Sequence, residues 1–277
     1  MKVFVTHGYF LEEDEVEKKI MKPYPPLGLL YVSAYLKQKN IDTTVFDTTF
    51  ESGRTFFESL QIVKPDVIAF YCNLMTKVRI IRLIARIKEL SPQVKIIIGG
   101  PDVTYNLDNY LNYCDFVIIG EGEQTLFELV KAIENSEDIA DVNGIAFKVD
   151  GELIKTAPRV KIKEIDELPL PDRQSINLSK YAETWKKHHG KATLNISTQR
   201  GCPYTCKWCS TAVYGQSYRR RSAKLVVDEI ILLQSQYDVE ALWFVDDVFT
   251  VSHKWMKAFH EEITRRNVKV KFECITR

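Results

Sequence analysis

The segment Gly201-Cys202-Pro203-Tyr204-Thr205-Cys206-Lys207-Trp208-Cys209 places three thiols within eight positions. Three thiolates on one loop can converge on three irons of a cubane cluster, and soft sulfur ligands are what iron-sulfur chemistry selects. No fourth cysteine lies near them. A cluster held this way keeps one iron open to bind and activate a ligand, whereas a fully ligated cluster suits electron transfer. Two other readings stand beside it. A structural zinc site would want a further Cys or His, and none follows within twenty residues of Cys209. A redox pair of Cys206 and Cys209 would leave Cys202 without a role. The other cysteines, Cys72, Cys114 and Cys274, are scattered singly and read as small buried apolar residues.

A second group of candidates lies on loops set by the elements before them. Residues 3–6, 43–46, 66–71, 94–98 and 116–119 are short, apolar and bounded by polar or Gly/Pro punctuation, which predicts strands. Residues 27–39, 55–63, 77–90 and 125–134 carry an apolar stripe at helical spacing. This alternation predicts an α/β fold with a flavodoxin-like, doubly wound parallel sheet, whose ligands sit beyond the carboxyl ends of the strands. Two such loops are glycine-rich: Gly99-Gly100-Pro101, and Gly120-Glu121-Gly122-Glu123, which leads into a helix N-terminus. The alternative is that these glycines only turn the chain.

Further along, residues 142–149 and 152–155 suggest a hairpin across Asp150-Gly151, followed by a stretch with Pro158, Pro169 and Pro171. His188-His189, beside Lys186 and Lys187, reads as solvated surface rather than a metal site. A new register starts at Ala192: strands at 193–198, 241–245 and 271–275 alternate with helices at 223–236 and 253–266. These are repeated βα units, the building block of a barrel. The expected domains are therefore 1–135, a connector at 136–191, and 192–277.

The chain has 277 residues, 45% of them hydrophobic, which is enough for real cores. Lys and Arg total 38 against 37 Asp and Glu, so a net charge of +1 gives no electrostatic reason to expect nucleic acid or an anionic membrane. No apolar stretch has the length of a membrane helix and the N-terminus lacks a signal-peptide layout. Six cysteines, three of them crowded together, fit metal ligation in a reducing compartment, so a cytoplasmic location is expected.

The CxxxCxxC loop, with aromatic Trp208 before the last cysteine, resembles the radical S-adenosylmethionine superfamily. The resemblance implies that Cys202, Cys206 and Cys209 hold a 4Fe-4S cluster and that Trp208 lies near the adenine of S-adenosylmethionine. It implies reductive cleavage of the sulfonium to methionine and a 5'-deoxyadenosyl radical that takes hydrogen from substrate. In Phe244-Val245-Asp246-Asp247-Val248, Asp246 and Asp247 fall where the family holds the amino group of methionine, with capping of a turn as the alternative for Asp247. Arg219-Arg220-Arg221 reads as a solvated run, with carboxylate binding as the other reading.

Pro26-Leu27-Gly28-Leu29-Leu30-Tyr31, together with the loops at Gly99, Gly100, Gly120, Glu121 and Gly122, looks like the cobalamin-binding domain found upstream of many members. The DxHxxG signature is absent: the first strand runs into His7-Gly8-Tyr9-Phe10 with no Asp two residues before the histidine. Any cobalamin would then bind without a protein histidine on cobalt. Residues 192–277 hold about three βα units, against six in the family's partial barrel and roughly 250 residues in a closed eight-fold one. A fragment with an unpaired last strand is expected.

The resemblance implies a cobalamin-dependent radical enzyme that transfers a methyl group or carries out another radical transformation of a small-molecule or peptide substrate. An electron donor such as flavodoxin or ferredoxin would serve it. A methylthiotransferase-like enzyme would need three N-terminal cysteines, and only Cys72 and Cys114 are there. A non-catalytic cofactor-binding fragment is the third reading.

Overall fold

The computed structural model describes residues 1–207, 209 and 214–277. The chain divides into two compact units, Met1–Glu15 with Gly28–Ile162, and Val16–Leu27 with Lys163–Arg277.

In the first unit the expected alternation is present. Strand β1 (Lys2–His7) is followed along the chain by the short helix α1 (Glu15–Ile20), which from Val16 on belongs to the second unit, then by α2 (Leu27–Gln38), β2 (Asp42–Phe46), α3 (Gly53–Val63), β3 (Val67–Tyr71), α4 (Lys77–Leu90) and β4 (Lys95–Gly99). A one-turn helix α5 (Leu107–Tyr110), β5 (Phe116–Ile118) and α6 (Gly122–Asn135) follow. Strands β6 (Ile145–Val149) and β7 (Glu152–Lys155) complete one sheet in the order β2-β1-β3-β4-β5-β6-β7. Its first five strands are parallel and in flavodoxin-like order, so the switch point lies between β1 and β3.

The hairpin at 145–155 is thus part of this sheet, antiparallel to β5, rather than a free-standing piece of a connector. Asp150 (φ 50°) and Gly151 (φ 85°) supply the two left-handed residues that a tight hairpin turn demands.

Burial explains the sequence pattern. β1, β3 and β4 are apolar on both faces because helices cover both. On one face Phe4, Phe56, Phe70, Ile80, Ile84 and Ile96 form a core; on the other, Val5, Leu36, Val67, Leu126 and Leu129. Phe56 is fully buried edge-on against Phe4 and Phe46. It rides on α3, whose start is fixed by a capping box between Ser52 and Thr55.

In the second unit, α7 (Leu178–His189) leads to β8 (Thr193–Ile196), β9 (Gln199–Arg200), β10 (Arg219–Arg220), α8 (Ala223–Gln236), β11 (Ala241–Phe244), α9 (His253–Arg265) and β12 (Lys271–Cys274). A parallel sheet runs β12-β11-β8, and β9 pairs antiparallel with β10. Helix α7 lies where only connector was expected; it is N-capped by Asn177 and buries Leu178, Tyr181, Ala182 and Trp185.

The segment 16–27 belongs to this second unit. Trp185 Nε1 donates to the Pro23 carbonyl at 2.7 Å, Asn195 Nδ2 to the Pro25 carbonyl at 2.8 Å, and Tyr24 packs on Trp185. His189 Nε2 sits 3.0 Å from both the Ile20 and Met21 carbonyls, so it holds this segment instead of lying in solvent. Among the described residues no helix is long and apolar enough to cross a membrane.

Candidate functional site

In the first unit the candidate residues gather at the carboxyl ends of the parallel strands. β1 ends at His7, whose ring is consumed by the fold. Nδ1 accepts from the Tyr9 amide at 3.2 Å and meets Thr48 Oγ1 at 3.1 Å, while Nε2 faces Asp47 Oδ1 at 2.9 Å. β4 ends at Gly99, whose carbonyl accepts from the Cys72 amide at 2.7 Å. Gly100 has φ +122°, and a Cβ there would collide with the Cys72 carbonyl oxygen, so this glycine answers to packing between β3 and β4.

Gly120 is different. Its φ is +89° and a Cβ would meet nothing within 4 Å, so the backbone borders open space. Gly122 then opens α6, fourteen residues long, with no side chain capping its first turn. Helix N-termini of this kind favour anionic groups through their exposed amides and dipole. The Glu121 side chain is turned inward, accepting from the Ile162 amide at 2.9 Å. On the loop after β3, Leu74 and Met75 are 68% and 65% exposed, and Val78 and Tyr105 are also exposed. Sequence periodicity could not place these exposed apolar side chains.

In the second unit the cysteine loop follows β8, at the carboxyl end of the parallel sheet. Its stem is the β9–β10 ladder, with Arg200 opposite Arg219 and Gln199 opposite Arg220, extended by a bridge between Cys202 and Gln216. Cys202 is buried, Cys206 half-buried and Cys209 exposed, and all are free thiols. The Cys209 amide donates to the Cys206 carbonyl at 3.1 Å, and Arg277 Nη1 lies 3.6 Å from Cys206 Sγ. Trp208 lies outside the described residues. Among the described residues, no three His, Cys, Asp or Glu side chains stand together as a metal-holding group. The donor set nevertheless fits an iron-sulfur cluster: three soft thiols, none in a disulfide, graded from core to surface, on one loop.

The other candidates at this end differ in burial. Asp246, just after β11, is buried, and Asp247 is exposed. Desolvation raises the carboxyl of each above its usual range, opposed at Asp246 by hydrogen bonds from Thr198.

The arginine run read as solvated is not. Arg220 is 4% exposed at its side chain, lies 3.6 Å over the Trp255 ring and donates to the Phe249 carbonyl at 2.7 Å. Arg221 and Arg173 both bond Glu229 of α8, and they also donate to the Ser197 and Asn195 carbonyls at 2.9 and 2.8 Å. Spacing of charges in sequence carries no burial signal, so this buried frame was not visible there. Cys72 and Cys114 are buried in the first unit, as expected, whereas Cys274 on β12 is only half-buried.

The B12 binding domain family matches residues 18–130. An uncharacterized methyltransferase of Pyrococcus horikoshii is 28% identical over 87% of this chain and 53% of its own length. The anaerobic magnesium-protoporphyrin IX monomethyl ester cyclase of Rubrivivax gelatinosus is 30% identical over 92% of this chain and 47% of its own length. The chain thus spans about half the length of the curated relatives it matches. Among solved structures, the cobalamin-dependent S-adenosylmethionine radical enzyme OxsB, with aqua-cobalamin and S-adenosylmethionine bound, matches with a TM-score of 0.81 at 20% identity, over 98% of this chain and 38% of that one. Residues 18–130 thus match a B12 binding domain, and the chain is similar in sequence to methyltransferases and a cyclase and in fold to a cobalamin-dependent radical S-adenosylmethionine enzyme.

Proposed function

We propose that this chain is the cofactor-binding portion of a cobalamin-dependent radical S-adenosylmethionine enzyme that transfers a methyl group or carries out a related radical transformation. The observation that carries this reading is the three-cysteine loop at the carboxyl end of a βα sheet, in a chain whose other unit is a B12-binding α/β domain.

Bound here, a cluster with one open iron would supply the electron that cleaves S-adenosylmethionine, and cobalamin would supply a methyl carrier. The protein's part is to hold and orient. Cys202, Cys206 and Cys209 would ligate the cluster, and Asp247 offers a surface carboxylate at the end of β11. Gly99, Gly120 and Gly122 would let the backbone approach cobalamin closely, with Glu121 holding the start of α6 in place. His7, engaged at both ring nitrogens, is withheld from cobalt. A low-potential donor such as flavodoxin or ferredoxin and a cytoplasmic setting accompany this chemistry.

Anaerobic reconstitution with iron and sulfide tests the reading. Wild type should bind about four irons per chain, as three-cysteine cubane ligation requires, with an EPR spectrum that changes on adding S-adenosylmethionine; Cys206→Ala should bind little iron. A wild-type chain that takes up no cluster, or one indifferent to S-adenosylmethionine, would overturn it.

A further inference from the structure

The Asp246 side chain has no exposure, and its two oxygens are occupied by the chain itself. Oδ1 accepts from the Thr198 amide at 2.7 Å and the Gln199 amide at 3.1 Å, with the Ser197 hydroxyl at 3.4 Å. Oδ2 accepts from the Thr198 hydroxyl and faces Arg220 Nη2 at 4.0 Å. A carboxylate has about four acceptor positions. Here three of them are taken by the Thr198 amide, the Thr198 hydroxyl and the Gln199 amide, all at the root of the cysteine loop.

Thr198 and Gln199 are the residues through which β8 turns into β9, three to four positions before Cys202. Arg220 stands opposite Gln199 in the β9–β10 ladder. Asp246 therefore touches both strands of the stem from β11, a neighbouring strand of the parallel sheet. The Arg221 amide adds a bond to the Thr198 carbonyl at 2.8 Å, so the same residue is held at both its amide and its carbonyl. Metal ligands on a loop are only as well placed as the groups that hold the loop, and a loose supporting set costs affinity about 10- to 100-fold.

We propose that Asp246 is a positioning residue that rivets the root of the cysteine loop to β11, and is not a group that holds the amino end of S-adenosylmethionine. The inference rests on the cluster reading above. It assigns the two adjacent carboxylates different work, with Asp246 facing inward to the loop and Asp247 left at the surface.

Four proteins test it: wild type, Asp246→Asn, Asp246→Ala and Thr198→Val. Asparagine can still offer its carbonyl oxygen to the two amides and its NH2 to the Thr198 hydroxyl, so it keeps the grip and removes only the charge. In the metal-free chains, hydrogen exchange at the Thr198 and Gln199 amides should match wild type in Asp246→Asn and accelerate about tenfold or more in Asp246→Ala, as loss of a charge-assisted bond predicts. Thr198→Val, which leaves the carboxylate untouched, should shift in the same direction as alanine.

After reconstitution, Asp246→Asn should keep wild-type iron and its EPR response to S-adenosylmethionine, while Asp246→Ala should hold less than about half the iron. The proposal is overturned if Asp246→Asn loses the S-adenosylmethionine response while Asp246→Ala keeps its iron. It is also overturned if exchange at Thr198 and Gln199 is unchanged in Asp246→Ala. Failure of the wild type to load a cluster would instead overturn the cluster reading, and the exchange comparison would still decide the role of Asp246.

Discussion

The six cysteines separate by what surrounds each sulfur. Burial pushes the Cys114 thiol up to about 12, and burial likewise raises Cys72. At pH 8 a thiol titrating near 12 is ionised in only about one molecule in ten thousand, and the thiolate is the reacting species. A brief iodoacetamide pulse on the metal-free native chain should therefore label Cys206 and Cys209 well ahead of Cys72 and Cys114, read by peptide mass spectrometry. Equal labelling of all six would mean that the first unit's core is open. Spacing alone set the crowded cysteines apart and put Cys72 and Cys114 in a core, but Cys274, isolated in the same way, is only half-buried on the last strand. Arg219, Arg220 and Arg221 were not legible in the same way. Charge predicts exposure by default, and only the Trp255 face, the Phe249 carbonyl and Glu229 reveal why Arg220 and Arg221 are inside.

At the scale of elements, α8 is anchored to the cysteine loop's parent strand through Glu229. Burial alone would raise this carboxyl, but the Arg173 and Arg221 guanidiniums more than offset it and hold it below the usual glutamate range. Its folded value is thus lower than its unfolded value of roughly 4.3. The stabilisation is present above that unfolded value and is lost as pH falls through the folded one. Glu229→Gln strands two buried guanidiniums and should cost about 3–5 kcal/mol at neutral pH, with a melting temperature that falls less than wild type's between neutral pH and pH 3. Thermal unfolding across pH, read by circular dichroism, checks both halves. Strands and long helices were visible beforehand because apolar periodicity follows burial, as at Val67–Tyr71 and Lys77–Leu90. Helix α7 was hidden by its polar last turn, Lys186-Lys187-His188-His189, and β9 and β10, two residues each, are too short to show any period.

At the scale of the molecule, the two candidate cofactor sites lie in separate compact units, each with its own sheet. Loading of one should then be nearly independent of the other. Gly120→Val, which puts a branched side chain into open space at φ +89°, should weaken cobalamin binding about tenfold or more through the lost close approach, with iron content unchanged. Cys206→Ala should show the reverse. Absorbance titration with hydroxocobalamin beside iron analysis distinguishes independent loading from a shared site. The chain path adds a different constraint. It leaves the first unit after Glu15, lends residues 16–27 to the second, and returns before its final passage at Ile162. The carbonyls of Pro23 and Pro25 are partners for Trp185 and Asn195. Grafting a foreign N-terminal module at one junction near residue 162 would therefore strip the recipient of part of its own interior. Recombination between relatives should succeed only where the exchanged stretch brings its own copy of residues 16–27 or keeps the original one, and a chain nicked at Ile162 should remain one particle on a sizing column.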